Sequence, residues 1–211
     1  MDTVHVYVYD GYADWEPAYL MAGLQSPRFQ REPGRWQVRT VGARDEPVRS
    51  MGGLHVLPDL TWDDVSPADS AMLVLPGGEG WEDDPRHDPA ARQARRWLQA
   101  GKPVAAICGA TAGLARQGLL DQRPHTSNAA AYLRGTGYAG GDHYRDEPAV
   151  RHAGLITAGG MSAVDFTREV FAELGVYDDA ALEAWYRLYK DGDSRAFAAL
   201  AEAAEQSRVS T

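Results

Sequence analysis

The chain has a single cysteine, Cys108, among its 211 residues. It can form neither an internal disulfide nor a cysteine-built zinc cage, so its thiol is free unless it pairs between chains. Long apolar runs are also missing. No stretch has the length of a membrane span, and Met1-Asp2-Thr3 leads directly into the alternating Val4-His5-Val6-Tyr7-Val8-Tyr9, without the basic start and apolar run of a secretory leader. Basic clusters are absent too: 21 Lys and Arg are scattered against 30 Asp and Glu, for a formal charge of -9. That balance argues against nucleic acid and anionic membranes as partners. Together these absences give the expectation of a cytoplasmic protein.

What is present fits one α/β domain, since a chain that is 44% hydrophobic and 24% charged can bury a substantial core. Short β-branched runs alternate with segments of helical period, which predicts a mostly parallel sheet with helices on both faces. The expected strands are Val4 to Tyr9, Trp36 to Val41, Ala71 to Leu75, Pro103 to Ile107 and Gly154 to Thr157. The first ends in the turn Asp10-Gly11, after which Asp14-Trp15-Glu16-Pro17 opens a helix with Asp14 as its expected N-cap. Residues 26–35 hold two prolines and a glycine and read as a surface loop. Val48 to Leu57, interrupted by Gly52-Gly53, reads as a hairpin. The predicted α/β domain covers residues 1–176. Residues 177–211 read as a helical extension packed on it, alanine-rich and broken at Asp191-Gly192-Asp193.

Cys108 follows the apolar strand Val104-Ala105-Ala106-Ile107 and precedes the helical Gly109-Ala110-Thr111-Ala112. Such a junction projects its residue from the carboxyl edge of the sheet, where open α/β folds place ligand crevices. The adjacent helix start is expected to lower the thiol pKa. Two readings are open at this point: an exposed nucleophile, or a small buried hydrophobe.

Leu75-Pro76-Gly77-Gly78 ends another buried strand. The Gly78 N–H, with that of Gly109, could form an oxyanion hole, or the glycines could simply make a tight turn. Glu16, in the first turn of the first helix, lies at the same sheet edge. It is placed either to pair with the helix dipole or to hydrogen-bond the thiol.

Four ordered segments carry a resemblance: Asp10-Gly11 with Glu16, Leu75 to Gly78, Ala106 to Cys108, and the late Thr157-Ala158-Gly159-Gly160. Over roughly residues 4–175 the chain resembles the DJ-1/PfpI superfamily. The strings Ile107 to Thr111, Gly118 to Asp121 and His125 to Asn128 resemble its bacterial Ile-Cys-Gly-Ala-Thr branch.

The resemblance implies a flavodoxin-like three-layer sandwich, related to class I glutamine amidotransferase domains and usually dimeric. By motif position, Cys108 corresponds to the nucleophile, Glu16 to its neighbouring glutamate, and Gly78 and Gly109 to the backbone donors. The activities it implies range over peptidase, glyoxalase or deglycase chemistry, isonitrile hydration, chaperoning and oxidative-stress sensing.

Departures narrow this range. Gly109 stands where PfpI-type proteases have a histidine after the cysteine. Asn128 holds the place of the histidine of DJ-1-like members, and His125 lies three residues earlier. None of the six histidines has a glutamate two residues on, so amidotransferase activity is set aside.

Glu82 falls where PfpI-type proteins place an acid that reaches the neighbouring subunit's site, but it also reads as a solvated acid in Glu82-Asp83-Asp84. Trp81, just past the glycine turn, could wall the crevice or fill the core. The histidine spacings match no compact metal pattern, and no cofactor is expected.

The leading expectation is a cysteine-dependent hydrolase or lyase acting on a small carbonyl or amide. The alternatives are a redox sensor whose Cys108 is oxidised to sulfinate, with an oxidant as its partner, and a binding protein that uses its helical C-terminus.

Overall fold

The computed structural model describes residues 1–209. Residues 210 and 211, the end of the predicted extension, lie outside the described residues. The seven-stranded sheet has the order β5-β2-β1-β6-β7-β9-β8, with β1 at Asp2–Tyr7, β2 at Trp36–Gly42, β5 at Leu60–Thr61, β6 at Met72–Leu75, β7 at Val104–Ile107, β8 at Ala149–His152 and β9 at Leu155–Ala158. All pairings are parallel except β8 with β9. This is the doubly wound, flavodoxin-like arrangement.

The antiparallel edge strand β8 was not foreseen from the sequence. It is short, and only Val150 of its four residues is buried, so it lacks the apolar run that marks the inner strands. The expected hairpin forms from β3 (Val48–Arg49) and β4 (His55–Val56), separate from the main sheet.

The inner strands are apolar on both faces because both faces are covered. Met72 and Val74 of β6, with Ala105 and Ile107 of β7, join a core with Leu20, Leu24, Phe166 and Phe171. The alternate residues Leu73, Leu75, Val104 and Ala106 join a second core with Ala90, Ala94 and Trp97. The first core is closed by α1 (Trp15–Gln25) and α5 (Ala163–Leu174), the second by α2 (Asp88–Gln99), α3 (Ala110–Arg116) and, through Leu133, the short α4 (Ala130–Arg134).

Two further helices, α6 (Asp179–Lys190) and α7 (Ala196–Val209), extend the first core through Ala181, Trp185, Leu200 and Ala203. The side chain of Asp178 caps α6 by accepting from the Ala181 N–H at 2.8 Å. Among the described residues, no helix is long and apolar enough to cross a membrane.

Asp14 takes the N-cap position of α1, but its side chain does not cap the helix. It accepts instead from the Ser50 hydroxyl at 2.5 Å and the Gly52 N–H at 3.1 Å, tying the hairpin to the start of α1.

Candidate active site

Four neighbouring strands, β1, β6, β7 and β9, run parallel, so their carboxyl ends open on one side of the sheet. The connections after them deliver Glu16, Gly77, Cys108 and Gly160 to that edge. Cys108 sits at the junction of β7 and α3. Its N–H donates to the Ala158 carbonyl at 2.9 Å, which extends the ladder to β9 by one bond. Its φ is 58°, in the left-handed region. A non-glycine residue there is strained, and the strain turns the side chain out of the sheet.

Glu16 is fully buried. Its Oε2 accepts from the Gly77 N–H at 2.6 Å, while its Oε1 has no hydrogen-bond partner among the described residues. A β-carbon on Gly160 would lie 3.2 Å from that oxygen and 2.9 Å from Cys108 Sγ, and one on Gly77 would lie 3.0 Å from the sulfur. The two glycines therefore let the turns close in around the thiol and carboxyl.

Asn128 completes the group. Its Nδ2 donates to Cys108 Sγ at 3.4 Å, and its Oδ1 accepts from the Gly160 N–H at 2.9 Å. The segment that carries Asn128 is fixed to α3 by the bond of Thr111 Oγ1 with Ser127 Oγ at 2.6 Å, and to β9 by the bond from the Thr126 N–H to Thr157 Oγ1 at 2.9 Å.

Burial pushes the Glu16 carboxyl up to about 7, against the opposing pull of the Gly77 N–H and the thiol. Burial, followed by the charge of Glu16, pushes the Cys108 thiol up to about 11, and the Asn128 amide offsets this only in part. The expected lowering of the thiol pKa by the helix start is thus corrected. Desolvation and a carboxylate neighbour outweigh the donors of a seven-residue helix.

Cys108, Glu16 and Asn128 line a cavity of about 430 Å³ together with Trp15, Glu147 and Met161.

A family model described as the DJ-1/PfpI family matches residues 2–173. The chain belongs to the DJ-1/PfpI family. It is 38% identical over 190 residues to a Bacillus subtilis protein named an uncharacterized protease, YoaZ, covering 89% of this chain and 90% of that one. Deglycase PfpI of Pyrococcus furiosus is 41% identical over 80 residues, 38% of this chain and 48% of its own. Among solved structures, a thiJ/pfpI family protein from Bacillus anthracis superposes with a TM-score of 0.90 at 38% identity, covering 96% of this chain and 98% of that chain. A DJ-1 superfamily protein from Agrobacterium tumefaciens superposes with a TM-score of 0.81 at 34% identity, covering 91% and 99%.

His125, Trp81, Glu82 and Gly78, also singled out from the sequence, stand around this group at different depths. His125 is buried and bonded through Nδ1 to the Arg123 carbonyl at 2.7 Å and through Nε2 to the Tyr138 hydroxyl at 3.1 Å. Among the described residues it makes no hydrogen bond to Cys108 and does not line its cavity, and burial lowers its pKa.

Trp81 does not wall the cavity. It is fully buried, donates Nε1–H to the Tyr9 hydroxyl at 2.7 Å and stacks on His87. There it supports the elbow from below, since β-carbons on Gly109 or Gly113 would run into its ring. Glu82 accepts from the Tyr132 hydroxyl at 2.7 Å and does not line the cavity of its own chain; a reach into the cavity of a neighbouring subunit is a separate matter from that lining.

Gly78 pairs across an isolated bridge with Tyr12 and also lies outside the lining. The turn glycine against the thiol is its neighbour Gly77. The Gly109 N–H favours the Cys108 thiolate, a smaller effect than that of the Asn128 amide. The sequence marks Asn128 as a possible accessory residue in the place of a histidine, and Gly77 and Gly160 only as members of their turn motifs. The three-dimensional approach of the turns, which no spacing encodes, brings all three to the thiol.

Proposed function

We propose that the chain is a cysteine-dependent enzyme acting on a small carbonyl or amide, with Cys108 as nucleophile and Glu16 as general base and acid. The observation that carries this reading is the division of labour in Glu16. Oε2 is anchored by the Gly77 N–H, while Oε1 is left unpartnered beside the thiol.

A thiol pushed up to about 11 is not a standing thiolate. It becomes nucleophilic as its proton leaves, and a carboxyl near pH 7 is well matched to take that proton at neutral pH. As the S–C bond forms at the carbonyl carbon, the thiol proton passes to Glu16 and the carbonyl π pair moves to oxygen. In this reading the Asn128 amide and the Gly109 N–H, which both act on the sulfur, supply the donors for that oxygen.

With an α-oxoaldehyde, the proton on Glu16 returns to the oxygen and gives a hemithioacetal; transfer of the proton on its carbon to the neighbouring carbonyl carbon turns the adduct into a 2-hydroxy thioester, which water hydrolyses to the hydroxy acid and the free thiol. With an amide, the proton goes to the departing nitrogen, and water then hydrolyses the thioester. The names of relatives, protease and deglycase, fit both outcomes.

The test is steady-state turnover of methylglyoxal and of an amino-acid anilide by wild type, Cys108→Ala and Glu16→Gln. Turnover of one substrate is expected to vanish in Cys108→Ala and to fall by roughly 10²–10⁴ in Glu16→Gln. Undiminished turnover in Cys108→Ala, or none by wild type on either class, overturns the reading.

A further inference from the structure

We infer that the substrate carries no negative charge and presents a flat apolar group beside its reactive carbon, held at the cavity mouth by Trp15 and Met161. The inference rests on the enzymatic reading above and names the substrate class for that site. Trp15 directly precedes Glu16 and Met161 directly follows Gly160, so each is placed by a residue that touches the reacting centre. Trp15 is 51% exposed and Met161 99% exposed, and both line the cavity that holds Cys108.

Single apolar side chains on a surface need no explanation, but an indole and a thioether that border the same cavity offer two apolar surfaces that an aromatic group entering it would cover. The volume of about 430 Å³ falls in the range of about 300–1,000 Å³ that suits larger organic ligands. A three-carbon carbonyl would leave most of it to water.

The charge of the lining points the same way. Its two ionisable acids are Glu16 and Glu147, and no Lys, Arg or His lines it among the described residues. An anionic substrate would find no counter-charge there and would approach a chain of net charge -9. An aryl α-oxoaldehyde such as phenylglyoxal fits this cavity, and glyoxylate does not.

The experiment compares second-order rates of Cys108 alkylation by iodoacetamide, N-phenyl iodoacetamide and iodoacetate, each divided by the rate with 2-mercaptoethanol. Ratios between reagents cancel the thiol pKa and need no turnover. Wild type is expected to favour the phenyl reagent over iodoacetamide by about five- to tenfold and to disfavour iodoacetate by about tenfold. Trp15→Ala should remove the phenyl preference, Trp15→Phe should restore part of it, and Glu147→Gln should narrow the penalty on iodoacetate.

Wild-type ratios equal to those of the free thiol overturn the inference. So does a Trp15→Ala variant that changes the oligomeric state on a sizing column yet keeps the phenyl preference, because Trp15 is then a subunit contact. The kcat/KM of phenylglyoxal against methylglyoxal carries the same comparison into catalysis. Absent turnover on every carbonyl and amide would remove the enzymatic reading, while the alkylation ratios would still decide the class of molecule the cavity accepts.

Discussion

Gly160 stands so close to Cys108 that a β-carbon on it would lie 2.9 Å from Sγ, and the same carbon would lie 3.2 Å from the free oxygen of Glu16. Neither neighbour can yield easily: Glu16 is anchored by the Gly77 N–H and Cys108 by the Ala158 carbonyl. Gly160→Ala is therefore expected to lower the Cys108 alkylation rate and carbonyl turnover at least tenfold, while costing about 1–3 kcal/mol of stability through overpacking. Alkylation kinetics and urea unfolding of the variant measure the two effects. Unchanged alkylation would mean that the thiol has more freedom than this packing allows.

The raised carboxyl of Glu16 makes stability depend on pH with a definite sign. Between its ordinary value of 4.5 and about 7, the folded chain holds a proton on Glu16 that the unfolded chain has lost. Unfolding free energy therefore falls as pH rises through that window, by up to about 3 kcal/mol from this group. Glu16→Gln should flatten the decline and be the more stable protein above pH 7. It should also bring the thiol pKa down from about 11 by removing the carboxylate charge. Faster alkylation at pH 8–9 combined with lost turnover is the expected signature, read by urea unfolding, iodoacetamide rates and substrate assays. Slower alkylation in the variant would contradict the assigned direction.

Asn128 joins the sulfur to the Gly160 backbone with opposite ends of one amide. Asn128→Ala removes a donor that favours the thiolate and frees the glycine turn, so the thiol pKa should rise further and turnover should drop about tenfold or more. Asn128→Asp should raise the thiol pKa more, because it adds a carboxylate. The pH profile of alkylation separates the three proteins.

His125 supplies the contrasting case. Its ring nitrogens are engaged by the Arg123 carbonyl and the Tyr138 hydroxyl. His125→Ala is expected to lower stability by about 1–3 kcal/mol and to leave the pH profile of Cys108 alkylation unmoved. A profile that shifts in His125→Ala would return the histidine to the site.

The inner fold was legible because β6 and β7 are apolar at every position, a pattern that survives any uncertainty about partners. The first strand ends at Tyr7, earlier than expected, because Tyr9 leaves the ladder to accept from Trp81 and pack among aromatic rings. In the site, Cys108 and Glu16 were readable from their places after strands. The distinction between Gly77 and Gly78 was not, since one turn presents both and only the crossing of chains decides which one faces the thiol. The titration of Cys108 was misjudged for a related reason. A helix start is visible in the sequence, but burial and the approach of a carboxylate are not.

The φ of 58° at Cys108 gives its substitutions an unusual order. Cys108→Ala deletes the sulfur and keeps the backbone tension, whereas Cys108→Gly deletes both. The glycine protein should be the more stable of the two silent variants by roughly 1 kcal/mol. That difference measures the stability the fold gives up to hold a thiol outward at this turn, and a cysteine kept only as filler would have no cause to occupy so uncomfortable a seat.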